Sequence, residues 1–350
     1  MNESALEHIF GPPRPEQMTR RERLAAVLHF RPADRLPFCE PLGFLPETLA
    51  RWVESGFPVG CPPEAFFDLD RLDLVPIDLG PFPAWGPSFR PVASAADFPH
   101  VRARYSCYSV GRYPTWWEDE KRAWAARGYP LGLRAKGPLA WLHDWCGDRL
   151  GAVLRDEPHL ADEMMTFGVE FSIYTLERAA AEVDADFAVV CDRWSLAADL
   201  PTSDAIATRA LSLCGQLASF FREHGTDVVV LCSDGDLTAR LPSLLDVGVN
   251  GIMPCSAAQG MDVLKLAKAY PRDLILVGGA DAHALARDRR DADREARLKM
   301  PAAIERGGWV PCFDAPIGPE AKFDNYRTYW EAALEIAAGK WPPRSADTQE

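Results

Sequence analysis

Two apolar runs in this chain end in the same pattern. Cys232 and Asp234 follow the run VVVL, and Cys312 and Asp314 follow WVP. On an extended strand, residues two apart share a face, so each pair presents a thiol and a carboxylate side by side. Thiolate and carboxylate converging from two strands make a donor set for a zinc ion with an open position, with Cys232, Asp234 and Cys312 as ligands. A structural reading competes with it. Cysteine is among the most buried residue types, and Asp234 and Asp236 flank Gly235, a pattern equally suited to a turn or a helix cap. Cys191 and Cys255 also close apolar runs, so four of the nine cysteines occupy such positions.

Other reactive groups stand at comparable places. Glu40 closes RLPFCE and Asp78 follows an apolar run, where turn chemistry is the alternative. Arg134, Lys136 and Arg193 supply positive charge that would bind a substrate carboxylate or pair with the aspartates. Gly278-Gly279 can bring backbone N–H groups close to an anion. Asp78, Asp234 and Asp314 are the candidate catalytic carboxylates. Glu40, Arg134, Arg193, Asp236 and Gly279 are the candidate substrate contacts.

Positioning these groups requires a repeated strand–helix unit. Between Asp227 and Asp281, strands predicted to begin at 228, 251 and 274 alternate with segments of helical spacing. Strands joined by such crossovers are parallel, and their C-terminal ends gather on one rim. The same alternation extends over the chain. Predicted strands cover 35–42, 74–79, 131–135, 187–191, 228–231, 251–253, 274–277 and 309–311, with helices between them. Eight strands in one series give an α/β fold of the (β/α)8 TIM-like barrel type, a single domain over 18–340. A flexible arm (1–17) and a polar tail (341–350) flank it, and residues 81–115 form an irregular insertion, read as a hairpin or a flap over the rim. A doubly wound open sheet fits less well, since no GxGxxG follows the first strand.

Composition narrows the partners. The chain has 350 residues, 47% of them apolar, and a net charge of -13. That charge argues against nucleic acid and anionic membranes and favours a small-molecule substrate. No run of 18 uncharged apolar residues occurs, and MNESALEHIFGPPRP lacks the cationic start and apolar core of a secretory signal. Nine cysteines without a CxxC fit reduced thiols in the cytoplasm. Composition does not distinguish a monomer from a homodimer.

The segments MTRRERLAAVLHFRPADRLPF, SDGDLTARLPSLLDVGVNGIMP, GGAD and GGWVPCFDAPIGPEAKFDNYRTYW resemble, in order, those of the uroporphyrinogen decarboxylase superfamily. The resemblance implies a distorted (β/α)8 barrel with its cleft at the strand C-termini. In the true decarboxylases an arginine-bearing MRQAGR segment follows the first strand; here the place reads CEPLGF, with Glu40. The family's aspartate after the second strand has a near match in Asp78, and its late histidine falls at Ala315. The zinc-dependent methyltransferase branch, which moves a methyl group between a corrinoid and a thiol, carries His-x-Cys where this chain has Cys232 and Asp234. That branch's last cysteine also falls at Ala315. The expectation is a divergent member that transfers a methyl group from a corrinoid or methylated substrate to a thiol. Zinc, and a corrinoid or corrinoid protein, would assist. The alternatives are a cofactor-independent decarboxylase (a lyase) of a carboxylated aromatic or porphyrinogen-like substrate, and a non-catalytic binding barrel.

Overall fold

Helices begin where the sequence supplies starts. Thr19 Oγ1 accepts from the Glu22 amide while the Glu22 carboxylate accepts from the Thr19 amide, a capping box that opens α1 (Arg20–Leu28). Proline in the first turn opens α2 (Pro46–Glu54) and α3 (Pro63–Phe66). The computed structural model describes residues 17–84, 91–196 and 204–337. The expected arm (save Gln17), the tail and residues 85–90 of the insertion lie outside the described residues.

The strands are β1 (Asp73–Leu74), β2 (Leu131–Lys136), β3 (Phe187–Asp192), β4 (Val229–Ser233), β5 (Gly251–Met253), β6 (Ile275–Val277) and β7 (Trp309–Val310). They form one sheet in sequence order, and the pairings β1–β2, β2–β3, β3–β4 and β6–β7 are parallel. Helices fill the connections: α4 (Phe98–Arg102), α5 (Trp117–Ala125), α6 (Pro138–Cys146), α7 (Leu150–Asp156), α8 (Pro158–Glu182), α9 (Asp204–Glu223), α10 (Leu241–Asp246), α11 (Val263–Ala269), α12 (Arg289–Arg306) and α13 (Phe323–Ala337). This is the α/β, TIM-like alternation expected.

The expected count of eight strands is corrected: seven occur among the described residues. The predicted strand over 35–42 joins no ladder. Pro37 and Pro41 remove backbone donors there. The Phe38 amide donates to Asp70 Oδ2 at 2.8 Å, and the Arg35 guanidinium holds the same carboxylate at 2.6 Å. The Phe38 carbonyl also accepts from the Asp70 amide, so main chain and side chain of one residue serve this segment in place of a continuous ladder, and among the described residues a single bridge, Phe44 to Ile317, lies nearby.

The chain divides into two compact units: one takes residues up to Leu72, Gly128–Pro130 and from Met253 onward; the other takes Asp73–Arg127 and Leu131–Ile252. In the second unit α8 covers one face of β2, where Leu133 and Ala135 are buried. Among the described residues of the insertion no strand occurs; Phe98 of α4 and Tyr105 pack on Trp145 and Trp141 of α6, and Tyr105 also meets Phe171 of α8. Arg112, also buried, donates to Ser106 O at 3.1 Å and Asp78 O at 3.1 Å, fixing the following loop. In the first unit, Trp52 sits among Phe57, Phe67, Phe323 and Tyr326, and α12 packs on α13.

Gly168 lies mid-α8 against Trp141, and a Cβ there would come within 2.4 Å of Trp141 Cγ. Alanine gains roughly 1 kcal/mol of helix propensity, whereas forcing volume into a closed core costs about 1–3 kcal/mol or more. Trp141 is fully buried and has nowhere to turn, so the clash prevails. Gly168→Ala should lower the thermal midpoint in calorimetry; a raised midpoint would show that the Trp141 contact yields freely.

Candidate functional site

The best-built group of reactive side chains lies in the second unit, on the β2–β4 ends. β2 reads LGLRAK, burying Leu133 and Ala135 on one face and leaving Arg134 exposed and Lys136 half-buried on the other. The registers Lys136↔Cys191 and Cys191↔Cys232 place an amine and two thiols abreast on three adjacent strands. Register partners share a face of the sheet. Lys136 Nζ pairs with the Asp144 carboxylate and lies 4.3 Å from the Trp141 ring centroid.

Both thiols are free and half-buried. A hydrogen bond with the Cys232 thiol pulls the Cys191 thiol below its ordinary value; burial opposes this, and the charges of Arg134 and Lys136 assist. Cys232 moves the other way, raised by the same hydrogen bond, by burial and by Asp234. Of the two, Cys191 is the more acidic.

Beyond the row stands an ion pair. Arg193 Nη2 lies 3.6 Å from Asp234 Oδ2, and Arg193 Nη1 lies 3.1 Å from His143 Nε2. Asp234 Oδ1 accepts from the Ser195 amide at 3.3 Å. Gly235 has φ +86, and a Cβ there would meet Ser195 Cα at 2.9 Å, so the turn after β4 requires glycine. Asp236 accepts from the Thr238 amide at 2.8 Å, the turn role weighed against substrate contact. Asp78 is exposed, and its Oδ1 accepts from the Gly80 amide at 2.7 Å, again a turn.

Asp192 is the group that residue patterns undervalue. It is buried beneath the row, and its Oδ1 accepts from the Ala140 amide at 2.7 Å in the first turn of α6. Burial pushes its carboxyl up to about 7, against the N–H donors of Ala140, Arg193 and Leu139. His143, the partner of Arg193, carried no signal beyond being a polar residue in the apolar stretch WLHDW.

In the first unit a second group forms around Glu40. Glu40 Oε2 accepts from the Phe313 amide at 3.2 Å and Oε1 from the Tyr326 hydroxyl at 3.5 Å. The residue as a whole is half-buried, yet burial of the carboxyl outweighs these donors and pushes it up to about 8. Cys312 is fully buried and its thiol is raised, by burial first and then by Glu40. Asp314 accepts from the Ala257 amide at 3.0 Å and the Ala282 amide at 2.9 Å, clamping the turns after β5 and β6, and burial raises it too. The Gly279 amide donates to Pro254 O at 3.0 Å and so already has an acceptor.

The expected residues thus form a group within each unit. Arg134, Arg193, Cys232 and Asp234 group in one unit with Lys136 and Cys191; Glu40, Cys312 and Asp314 group in the other. A catalytic zinc site takes three protein donors. Among the described residues no three His, Cys, Asp or Glu side chains are so grouped, and Asp234 is engaged by Arg193 and Ser195. The donor set does not fit the ion implied by the resemblance, and no step is derived through it. No helix among the described residues is long and apolar enough to cross a membrane.

No family model and no curated protein matches this chain. Among solved structures, the chain is similar to a methyltransferase from Methanosarcina mazei with a TM-score of 0.59 and 18% identity, covering 91% of this chain and 99% of that one. At that identity the likeness is one of fold.

The raised Asp192 carboxyl has a stability consequence. Its folded value near 7 lies above the ordinary 3.8, so between these limits the unfolded chain ionises and the folded one does not. Stability from this group is intact below about pH 4, falls as pH rises toward 7 and is flat above, a loss on the order of 4 kcal/mol at about 1.4 kcal/mol per unit. Asp192→Asn should flatten that slope in urea melts from pH 4 to 8; parallel wild-type and variant curves would contradict the burial account.

Proposed function

We propose that the chain is a methyltransferase acting at the β2–β4 rim, delivering a methyl group to the sulfur of a small anionic thiol. The observation that carries this reading is the placement of Arg134 and Lys136 toward the end of β2 and of Arg193 just past β3, in a fold similar to that of a methyltransferase. Such cations suit a substrate carboxylate or sulfonate, and Arg193 offers a guanidinium fork for a planar anion. Positive charge also favours the ionised form of a thiol placed among them. The acceptor thiolate would then attack the methyl carbon, forming the sulfur–carbon bond as the donor's bond to that carbon breaks and its electron pair leaves with the donor. Asp234 and His143, at 3.6 Å and 3.1 Å from the two terminal nitrogens of Arg193, would hold its guanidinium in place.

Zinc and a methylated corrinoid belong to the proposal as assay components, because the sequence resemblance implies them. Carboxylate- and sulfonate-bearing thiols, incubated with a methylated corrinoid with and without zinc, should yield thioether. Loss of a charge-assisted contact in Arg193→Ala or Lys136→Ala should lower the rate about ten- to a hundredfold, by roughly 1.5–3 kcal/mol. No thioether under any condition would sink the proposal.

Glu40 favours a second reading. A carboxyl held near 8 is protonated at neutral pH and can deliver a proton to a carbanion left by loss of carbon dioxide. Carbon dioxide release from aromatic or pyrrolic acids that disappears in Glu40→Gln would support the decarboxylase. Release unchanged by that substitution would remove it.

A further inference from the structure

We propose that Cys191 and Cys232 form a reversible disulfide inside the folded protein, making the β3–β4 rim a site of oxidative modification. The two cysteines are register partners on adjacent parallel strands. Neighbouring strands run about 4.8 Å apart, inside the roughly 4.4–6.8 Å between Cα atoms that a disulfide spans. Register partners point to the same side of a sheet, so no strand has to turn over for the sulfurs to meet. Both side chains are half-buried, which gives a small oxidant access.

The other cysteines provide the contrast. Cys39, Cys146, Cys214, Cys255 and Cys312 are buried, closed to an oxidant in solution. Cys61 and Cys107 are half-buried but lie outside the strands, with no register partner. Access and a facing thiol thus coincide at Cys191 and Cys232. The Lys136 amine beside Cys191 favours approach of an anionic oxidant.

The chemistry balances with a low-molecular-weight disulfide as oxidant. Cys191 as thiolate attacks one sulfur of the reagent, forming a mixed disulfide and expelling one thiolate. The Cys232 thiol gives its proton to solvent and attacks Cys191 Sγ, expelling the second. Two protein thiols are oxidised, and one reagent disulfide is reduced to two thiols. The product ties β3 to β4 and removes both thiols from the rim. This modification does not depend on the rim being a methyl-transfer site.

The test uses the native full chain and oxidised glutathione, followed by intact mass and peptide mapping. The expected result is loss of two hydrogens with the Cys191 peptide linked to the Cys232 peptide, reversed by dithiothreitol. Cys191→Ser and Cys232→Ser should each abolish the link. Since mapping of the wild-type chain needs no variant, misfolding of either substitution leaves the test intact. Cys191 and Cys232 remaining reduced while Cys61 and Cys107 take up glutathione would overturn the proposal. So would separate mixed disulfides at both positions with no link between them.

Discussion

The register of β2 against β3 and of β3 against β4 is the constraint on which the candidate chemistry rests. Because side chains alternate along a strand, a shift of one residue in either pairing would turn Cys191 or Cys232 to the opposite face. The buried faces oppose such a shift. Leu133 and Ala135 sit beneath α8, and Val190 and Leu231 are fully buried. Hydrophobic packing on one face therefore fixes the positions of polar groups on the other. Lys136, Cys191 and Cys232 stand abreast because their apolar neighbours are held fast.

Electrostatics divides the site groups by environment more than by residue type. Asp192 and Glu40 are carboxyls displaced toward neutrality by burial, although each accepts backbone N–H donors. Asp78 and Asp236 are exposed and engaged in turns. Asp234 is half-buried and shared by Arg193 and the Ser195 amide. A cation and a backbone donor use the same oxygens a metal would need.

Much of this was legible in the sequence. Alternation placed β2, β3 and β4 within a residue or two. The fate of the predicted strand over 35–42 was not legible, because its apolar run is real and buried while its hydrogen-bond partner is a single residue, Asp70, 32 positions along the chain, through both amide and carboxylate. Register was also hidden: period-two alternation tells which face a residue takes, but not which residue of the next strand stands beside it. That is why Cys191 was grouped with other strand-end cysteines and not singled out with Cys232. The state of Glu40 is set first by burial, and the Phe313 amide that opposes it stands 273 positions away; no local pattern carries either.

The most direct test of the account is reaction of the native protein with dibromobimane, whose two arms join thiols only when they lie within a few ångströms of each other. The structure predicts a fluorescent product joining the Cys191 and Cys232 peptides. Single alkylation at each cysteine, with no joined peptide, would contradict the register and with it the rim described above.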